Sequence, residues 1–209
     1  MKTRNTFTGL LLLLAFALAW VVPAQAAKTP TVLDHITAIA DASVRIHDSL
    51  ASDSVKDVRK NAADIVKSAD AALKLAGKDK KKNAKLIDAL NGVKTAAADY
   101  GKGLKKDEEI KIDAAREKFY PLSSSIIELV KDHLPEKAAS KYTMFHCPMA
   151  KGYWLQTDAK KLRNPYYGSE MLECGKKAGF KDYDPAKCKC GGKHKHGATE
   201  KGKLDPHKH

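Results

Sequence analysis

The chain has 209 residues, and 38 Lys and Arg against 25 Asp and Glu leave a formal charge of +13. A balance this basic ordinarily points to nucleic acid. Residues 1–26 read as an export signal, however, and an exported protein meets little nucleic acid, so that partner is excluded in favour of anionic envelope surfaces or a solvated lysine face.

The signal rests on Lys2 and Arg4, an apolar run from Leu10 to Val22, and Ala24-Gln25-Ala26 as a small-residue cleavage site. The run is shorter than the roughly 20 residues of a membrane span, and no cysteine stands at the cleavage point to carry a lipid. The expected mature chain starts at Ala27, is periplasmic or secreted, and has no transmembrane segment.

Residues 27–140 are expected to form a four-helix bundle. From Thr31 to Leu134 alanine, lysine and aspartate dominate, and apolar residues recur three and four apart. The first predicted helix turns Leu33, Ile36, Ile39 or Ala40, Ser43, Ile46 and Leu50 inward, with Ser52, Asp53 and Ser54 ready to cap the next. The second runs from Ser54 to about Ala76, buries Val55, Val58, Ala62, Ile65, Ala69 and Leu73, and ends at Gly77 before the basic connector KDKKKN. The third, from about Asn83 to Tyr100, offers Leu86, Leu90, Val93, Ala97 and Tyr100. The fourth, from about Asp107 to His133, offers Ile110, Ala114, Phe119, Leu122, Ile126 and Val130, and Pro121 is expected to kink or interrupt it.

Four helices of roughly 20 residues with short polar connections predict an antiparallel up-down-up-down bundle, and about 100 residues suffice for one modest core. His35, His47 and His133 are isolated on this scaffold, which carries no motif for chemistry. The absence of C-x-x-C-H excludes covalent haem attachment, while a non-covalent haem on His and Met stays open.

Composition changes at LPEKAASKYTMF. Between Tyr142 and Tyr167 stand six of the fourteen aromatic residues, so 141–180 is expected as an irregular Cys/Met segment packed on the bundle, the whole fold being all-α. All four cysteines lie in the last third of the chain, and in an oxidising compartment an even count defaults to disulfides.

Two clusters of soft donors occupy this segment: Met144, His146, Cys147 and Met149, then Met171 and Cys174. Pro148 holds Cys147 extended, which directs Cys147 and Met149 to a shared side. Met171 and Cys174, three apart, share one face of a short helical turn that Gly175 can end. Thiolate, thioether and imidazole select Cu(I) or Ag(I) over hard cations, and thioethers bind without losing a proton whereas thiols must lose theirs. The opposing reading is a structural Cys147–Cys174 disulfide with methionines filling gaps between rings. Spacing alone leaves both open, although three of the four methionines stand beside these cysteines and the fourth is the initiator.

HCPMAKGYWLQ, followed by RNPYYGSEMLECG, resembles the signature of a small helical domain, formerly of unknown function, found alone or attached to CusB-like periplasmic adaptors of copper and silver efflux systems. The family pattern of C-P-M-A, a glycine and W-L, N-P-Y-(F or Y)-G and M-L-x-C-G is met at every landmark between Tyr142 and Gly175. One departure is the connector Lys151-Gly152-Tyr153, which is shorter than the family's. The resemblance implies an exported copper-related binding domain with Cys147, Met149, Met171 and Cys174 as ligands, and a CusB-like efflux adaptor or another periplasmic copper protein as partner. Met144 and His146 are then peripheral candidates. Trp154 and Asn164-Pro165-Tyr166-Tyr167-Gly168 read as architecture, with the Trp154 ring face over a bound Cu(I) as the alternative.

Residues 181–209 are expected as a flexible tail. Cys188, Cys190, His194 and His196 form a C-x-C-x3-H-x-H array, a second candidate site for Cu(I) or Zn(II), with His207 and His209 as weaker donors. Thiols two apart bridge each other only with strain, so the alternatives there are pairing with another chain or nonspecific affinity. The expected function is a non-enzymatic Cu(I)/Ag(I)-binding protein that sequesters metal or hands it over, as a metallochaperone does, in copper homeostasis and heavy-metal efflux. A disulfide-stapled structural or adaptor-docking module without metal competes with it. A thiol–disulfide enzyme is disfavoured, since C-x-x-C and a thioredoxin-type strand–helix alternation are both missing.

Overall fold

The computed structural model of the chain describes residues 29–104 and 110–187. The export signal expected over 1–26 and the array of Cys188, Cys190, His194 and His196 lie outside the described residues. No helix among the described residues is long and apolar enough to cross a membrane.

Helix α1 (Val32–Ala51) opens with a reciprocal cap, in which Thr31 accepts the Asp34 N–H and the Asp34 carboxylate accepts the Thr31 N–H at 2.7 Å. Ile36, Ile39, Ala40, Ser43, Ile46 and Leu50 face inward, whereas Leu33, in the first turn, is 42% exposed instead of buried. Helix α2 (Val58–Ala76) begins later than Ser54, because Asp53 and Asp57 take left-handed backbone (φ 54° and 57°) and the stretch forms a turn. Helices α3 (Ala84–Gly103) and α4 (Ile112–His133) follow, then the one-turn α5 (Glu136–Ala139). Helix α4 runs through Pro121 without interruption, and Phe119, Leu122 and Ile126 on either side are fully buried. Their burial outweighs the one backbone hydrogen bond that proline removes.

The helices pack as neighbours in a cycle, α1 on α2, α2 on α3, α3 on α4, and α4 back on α1. The remainder corrects the all-α expectation. The aromatic segment is not irregular but carries a three-stranded antiparallel sheet, β1 (Thr143–Cys147), β2 (Gly152–Gln156) and β3 (Lys176–Ala178), in the order β2-β1-β3. Its threonine and aromatic side chains suit a pleated, buried surface better than a helix. Strand β2 is buried along its whole length and packs against α4 and α1.

Trp154 on β2 has no exposed surface. It stacks with Phe145 at 5.8 Å and His47 at 6.5 Å, meets Tyr166 edge-on at 6.0 Å, and its Nε1–H donates to Gln156 Oε1 at 3.1 Å. The tryptophan is a core residue that joins the sheet to α1.

Gly152, paired with Cys147 across the hairpin, is where β2 meets two tyrosine rings that stack on each other at 4.0 Å. A Cβ there would stand 2.5 Å from Tyr166 Cε2 and 2.7 Å from Tyr120 Cε1. Neither ring can retreat without unstacking, so Gly152→Ala is expected to cost about 2 kcal/mol by overpacking. Thermal unfolding followed by circular dichroism checks it, with a fall in Tm of roughly 4–8 °C expected.

Candidate metal centre

Strand register brings the two soft-donor clusters together. In the β1–β3 ladder Met144 pairs with Ala178 and His146 with Lys176. Carried one residue further, the same antiparallel register sets Gly175 beside Cys147, and Cys174 arrives next to the end of β1. Gly175 is required at this approach. Its φ is 145°, and a Cβ would stand 3.0 Å from Trp154 Cη2 and 3.1 Å from the His146 carbonyl oxygen.

The Sγ atoms of Cys147 and Cys174, 27 residues apart in sequence, lie 3.1 Å apart and are not bonded. A disulfide holds its sulfurs at about 2.05 Å. A shared ion with metal–sulfur bonds of about 2.3 Å holds them roughly 3.7–4.6 Å apart, from tetrahedral to linear. The observed contact of 3.1 Å lies between these two separations.

Cys147 is fully buried and its sulfur accepts the Ala150 N–H at 3.3 Å across the hairpin turn. Cys174 is half-buried. Burial pushes its thiol up to about 11, assisted by the hydrogen bond with Cys147 and by the charge that Cys147 carries when ionised. Tyr120, Tyr166 and Tyr167 stand near Cys147, and Tyr167 also near Cys174. Burial raises all three phenols above their ordinary range, and the nearby Cys147 sulfur adds to this in each case.

Among the sequence-predicted donors, the structure brings Cys147 and Cys174 into contact. Met171 follows a single 3₁₀ turn (Gly168–Glu170) with non-helical backbone (φ −147°, ψ 54°), and its carbonyl accepts the Cys174 N–H at 3.0 Å, so a hydrogen-bonded turn stands where a helical one was expected, with Met171 half-buried. Met149 lies in the hairpin turn and is 63% exposed, so it does not share the buried side of Cys147. Strand alternation directs Met144 and His146 away from the Cys147 face. Met144 is buried there, and the His146 ring lies on Tyr153 at 4.3 Å. Burial, then the charges of Lys176 and Lys187, lower the His146 pKa. Among the described residues no group of three His, Cys, Asp or Glu side chains gathers in one place. An ion at the sulfur pair would therefore have the two thiolates as its donors among these side chains.

Three buried polar residues anchor the second half of the pair, and the sequence reading gave only Asn164 an architectural place. Asn164, fully buried, donates from Nδ2 to the Cys174 carbonyl at 2.8 Å and accepts the Tyr166 N–H at 2.9 Å. His47 on α1, read as isolated, donates from Nε2 to the Arg163 carbonyl at 2.7 Å. Arg116 on α4 donates to the carbonyls of Pro165 at 3.2 Å and Leu50 at 3.1 Å and forms an ion pair with Asp53. Asp53, expected as a helix cap, instead accepts the Ser169 N–H at 3.1 Å, and hydrogen bonds from Ser169 and then Arg116 hold its carboxyl below the usual range. A signal existed: His47 and Arg116 are polar residues on otherwise apolar helical stripes, a pattern that calls for a buried partner.

Comparison of the chain with known protein families, with characterised proteins and with solved structures returned no match.

Proposed function

We propose that the chain is a non-enzymatic periplasmic or secreted protein that binds Cu(I) or Ag(I) at Cys147 and Cys174, on an antiparallel helical-bundle scaffold, and sequesters the ion or hands it to a CusB-like efflux adaptor or another copper protein. The observation that carries this reading is the pair of unbonded sulfurs 3.1 Å apart on two separate elements, with methionines two and three residues away along the chain at Met149 and Met171. Two thiolates form a soft, low-coordinate donor set, which favours monovalent copper and silver. The Ala150 N–H on the Cys147 sulfur is the kind of supporting contact that orients a metal-bound thiolate. Transfer proceeds by ligand exchange, with a partner's sulfurs replacing these one at a time. The tail array of Cys188, Cys190, His194 and His196 is proposed as a second, capturing site for Cu(I) or Zn(II).

The test is anaerobic titration of the reduced protein with Cu(I) against a chromophoric chelator, combined with X-ray absorption. In the full chain carrying Cys188→Ser and Cys190→Ser a tightly held, sulfur-rich Cu(I) is expected, lost when Cys147→Ser and Cys174→Ser are added while nitrogen-rich binding by the tail histidines persists. Unchanged sulfur coordination in that variant overturns the assignment.

The same short contact favours a second reading, a disulfide-stapled structural or adaptor-docking module without metal. Mass spectrometry of the unreduced exported protein distinguishes them. A Cys147–Cys174 peptide pair, with no copper uptake after mild reduction, supports the stapled module.

A further inference from the structure

Resting on the Cu(I)/Ag(I) reading, we propose that Met149 is the capture ligand of this site: its thioether takes the soft ion at the surface and passes it inward to Cys174 and then Cys147, and it is not needed in the finished two-sulfur complex.

The donors are graded in depth. Met149 is 63% exposed at the tip of the β1–β2 turn, Met171 and Cys174 are half-buried, and Cys147 has no exposed surface. Exposure to solvent falls in that order. Met149 and Leu33 are the exposed large apolar side chains among the described residues, and Leu33 sits in the first turn of a helix. Met149 sits instead on a turn held from both sides. The Cys147–Gly152 pair closes it, the Ala150 N–H ties it to the Cys147 sulfur, and Lys151 completes it with left-handed backbone at φ 51°. The turn keeps the thioether outside while the thiol two residues earlier is inside.

Chemistry gives the exposed sulfur a task. The two thiols are closed on each other in a hydrogen-bonded contact of 3.1 Å, so an ion can bridge them only after the contact opens and protons leave. A thioether carries no proton and can take Cu(I) directly. The balanced sequence follows. A Cu–S bond forms to Met149 as the donor's ligand leaves; a Cu–S bond forms to Cys174 as its proton passes to solvent; a Cu–S bond forms to Cys147 as its proton leaves and the Met149 bond breaks. Copper stays Cu(I) throughout, and one ion replaces two protons.

The experiment is stopped-flow transfer of Cu(I) from a chromophoric bis-chelate to the full reduced chain with Cys188→Ser and Cys190→Ser as background, with the equilibrium affinity measured in the same chelate. Met149→Leu keeps size and apolarity on an exposed turn, so the variant folds. It is expected to slow uptake by about tenfold. Return of copper to excess chelate should slow by the same factor, leaving affinity unchanged. If affinity falls by as much as the uptake rate, Met149 stays on the bound ion and the capture role is wrong. If neither changes, Met149 is not on the path, and the role is equally wrong. Wild-type chain that takes up no Cu(I) into sulfur coordination instead overturns the copper reading itself, a result visible before any variant is compared.

Discussion

Arg116→Met is expected to lower the free energy of unfolding by about 3 kcal/mol. Methionine fills a similar volume but donates no hydrogen bond, so the Leu50 and Pro165 carbonyls lose the guanidinium N–H groups at 3.1 and 3.2 Å. The Pro165 carbonyl, left without a donor, costs about 1–3 kcal/mol, and the Leu50 carbonyl, which keeps the Asp53 N–H at 3.2 Å, loses about 1 kcal/mol more. Asp53 adds little, because its side chain is 42% exposed and water can replace the arginine. Urea denaturation is the measurement, with a lower midpoint and an unchanged slope. A loss below about 1 kcal/mol would mean that water reaches both carbonyls.

The effect should reach the sulfur pair as well as the fold. Arg116, Asp53 and Ser169 hold the loop that leads into Met171 and Cys174. In the variant, alkylation of Cys174 should accelerate at a denaturant concentration where the protein is still folded. Arg116→Lys should restore only part of the loss, since one ammonium group cannot reproduce a planar fork of donors aimed at two carbonyls and a carboxylate.

Copper affinity of the reduced protein is expected to rise by at least about tenfold for each pH unit between about pH 6 and 8. The sign follows from Cys174. Its thiol is pushed up to about 11, first by burial and then by its hydrogen bond to Cys147, so the free protein holds that proton throughout this range while the copper complex does not. Each unit of pH removes a factor of ten of proton competition, and the gain continues until the pH approaches the thiol's own pKa. A site built from Met149 and Met171 alone would give a flat profile, because thioethers exchange no proton. Binding by the tail histidines, with Cys188 and Cys190 replaced by serine, would level off above about pH 6.5, where free imidazole has already lost its proton. Chelator competition, corrected for the chelator's own protonation at each pH, separates the three. A flat profile would remove Cys174 from the ligand set.

The four long helices were legible in the sequence because their burial is one-sided and repeats every three to four residues. Ile36, Ile39, Ile46 and Leu50 needed no tertiary information to be assigned to a core face. Helix ends were less legible, since Asp53 leaves its expected cap position for a partner more than a hundred residues away. The sheet escaped for a related reason. Strand β3 is Lys176-Lys177-Ala178, with no strand preference of its own, and it forms because β1 offers it a ladder. The aromatic run in β1 and β2 was correctly read as packed, but only pairing makes its two-residue alternation visible.

By itself the sequence determined the helical scaffold, the gathering of sulfur donors in two short clusters, and the softness of any ion they would select. Those properties are local, set by residue type and by spacings of a few positions. Only tertiary structure decided which donors meet. Cys147 and Cys174 come within 3.1 Å because an antiparallel register places Gly175 beside β1, and the same strand turns Met144 and His146 to the other face. Register and face depend on hydrogen bonds between segments distant along the chain, and on the buried Asn164, His47 and Arg116 that secure the second segment. Spacing within one segment cannot encode a distance to another, so the existence of a sulfur pair, as distinct from two sulfur-bearing clusters, is a property of the fold.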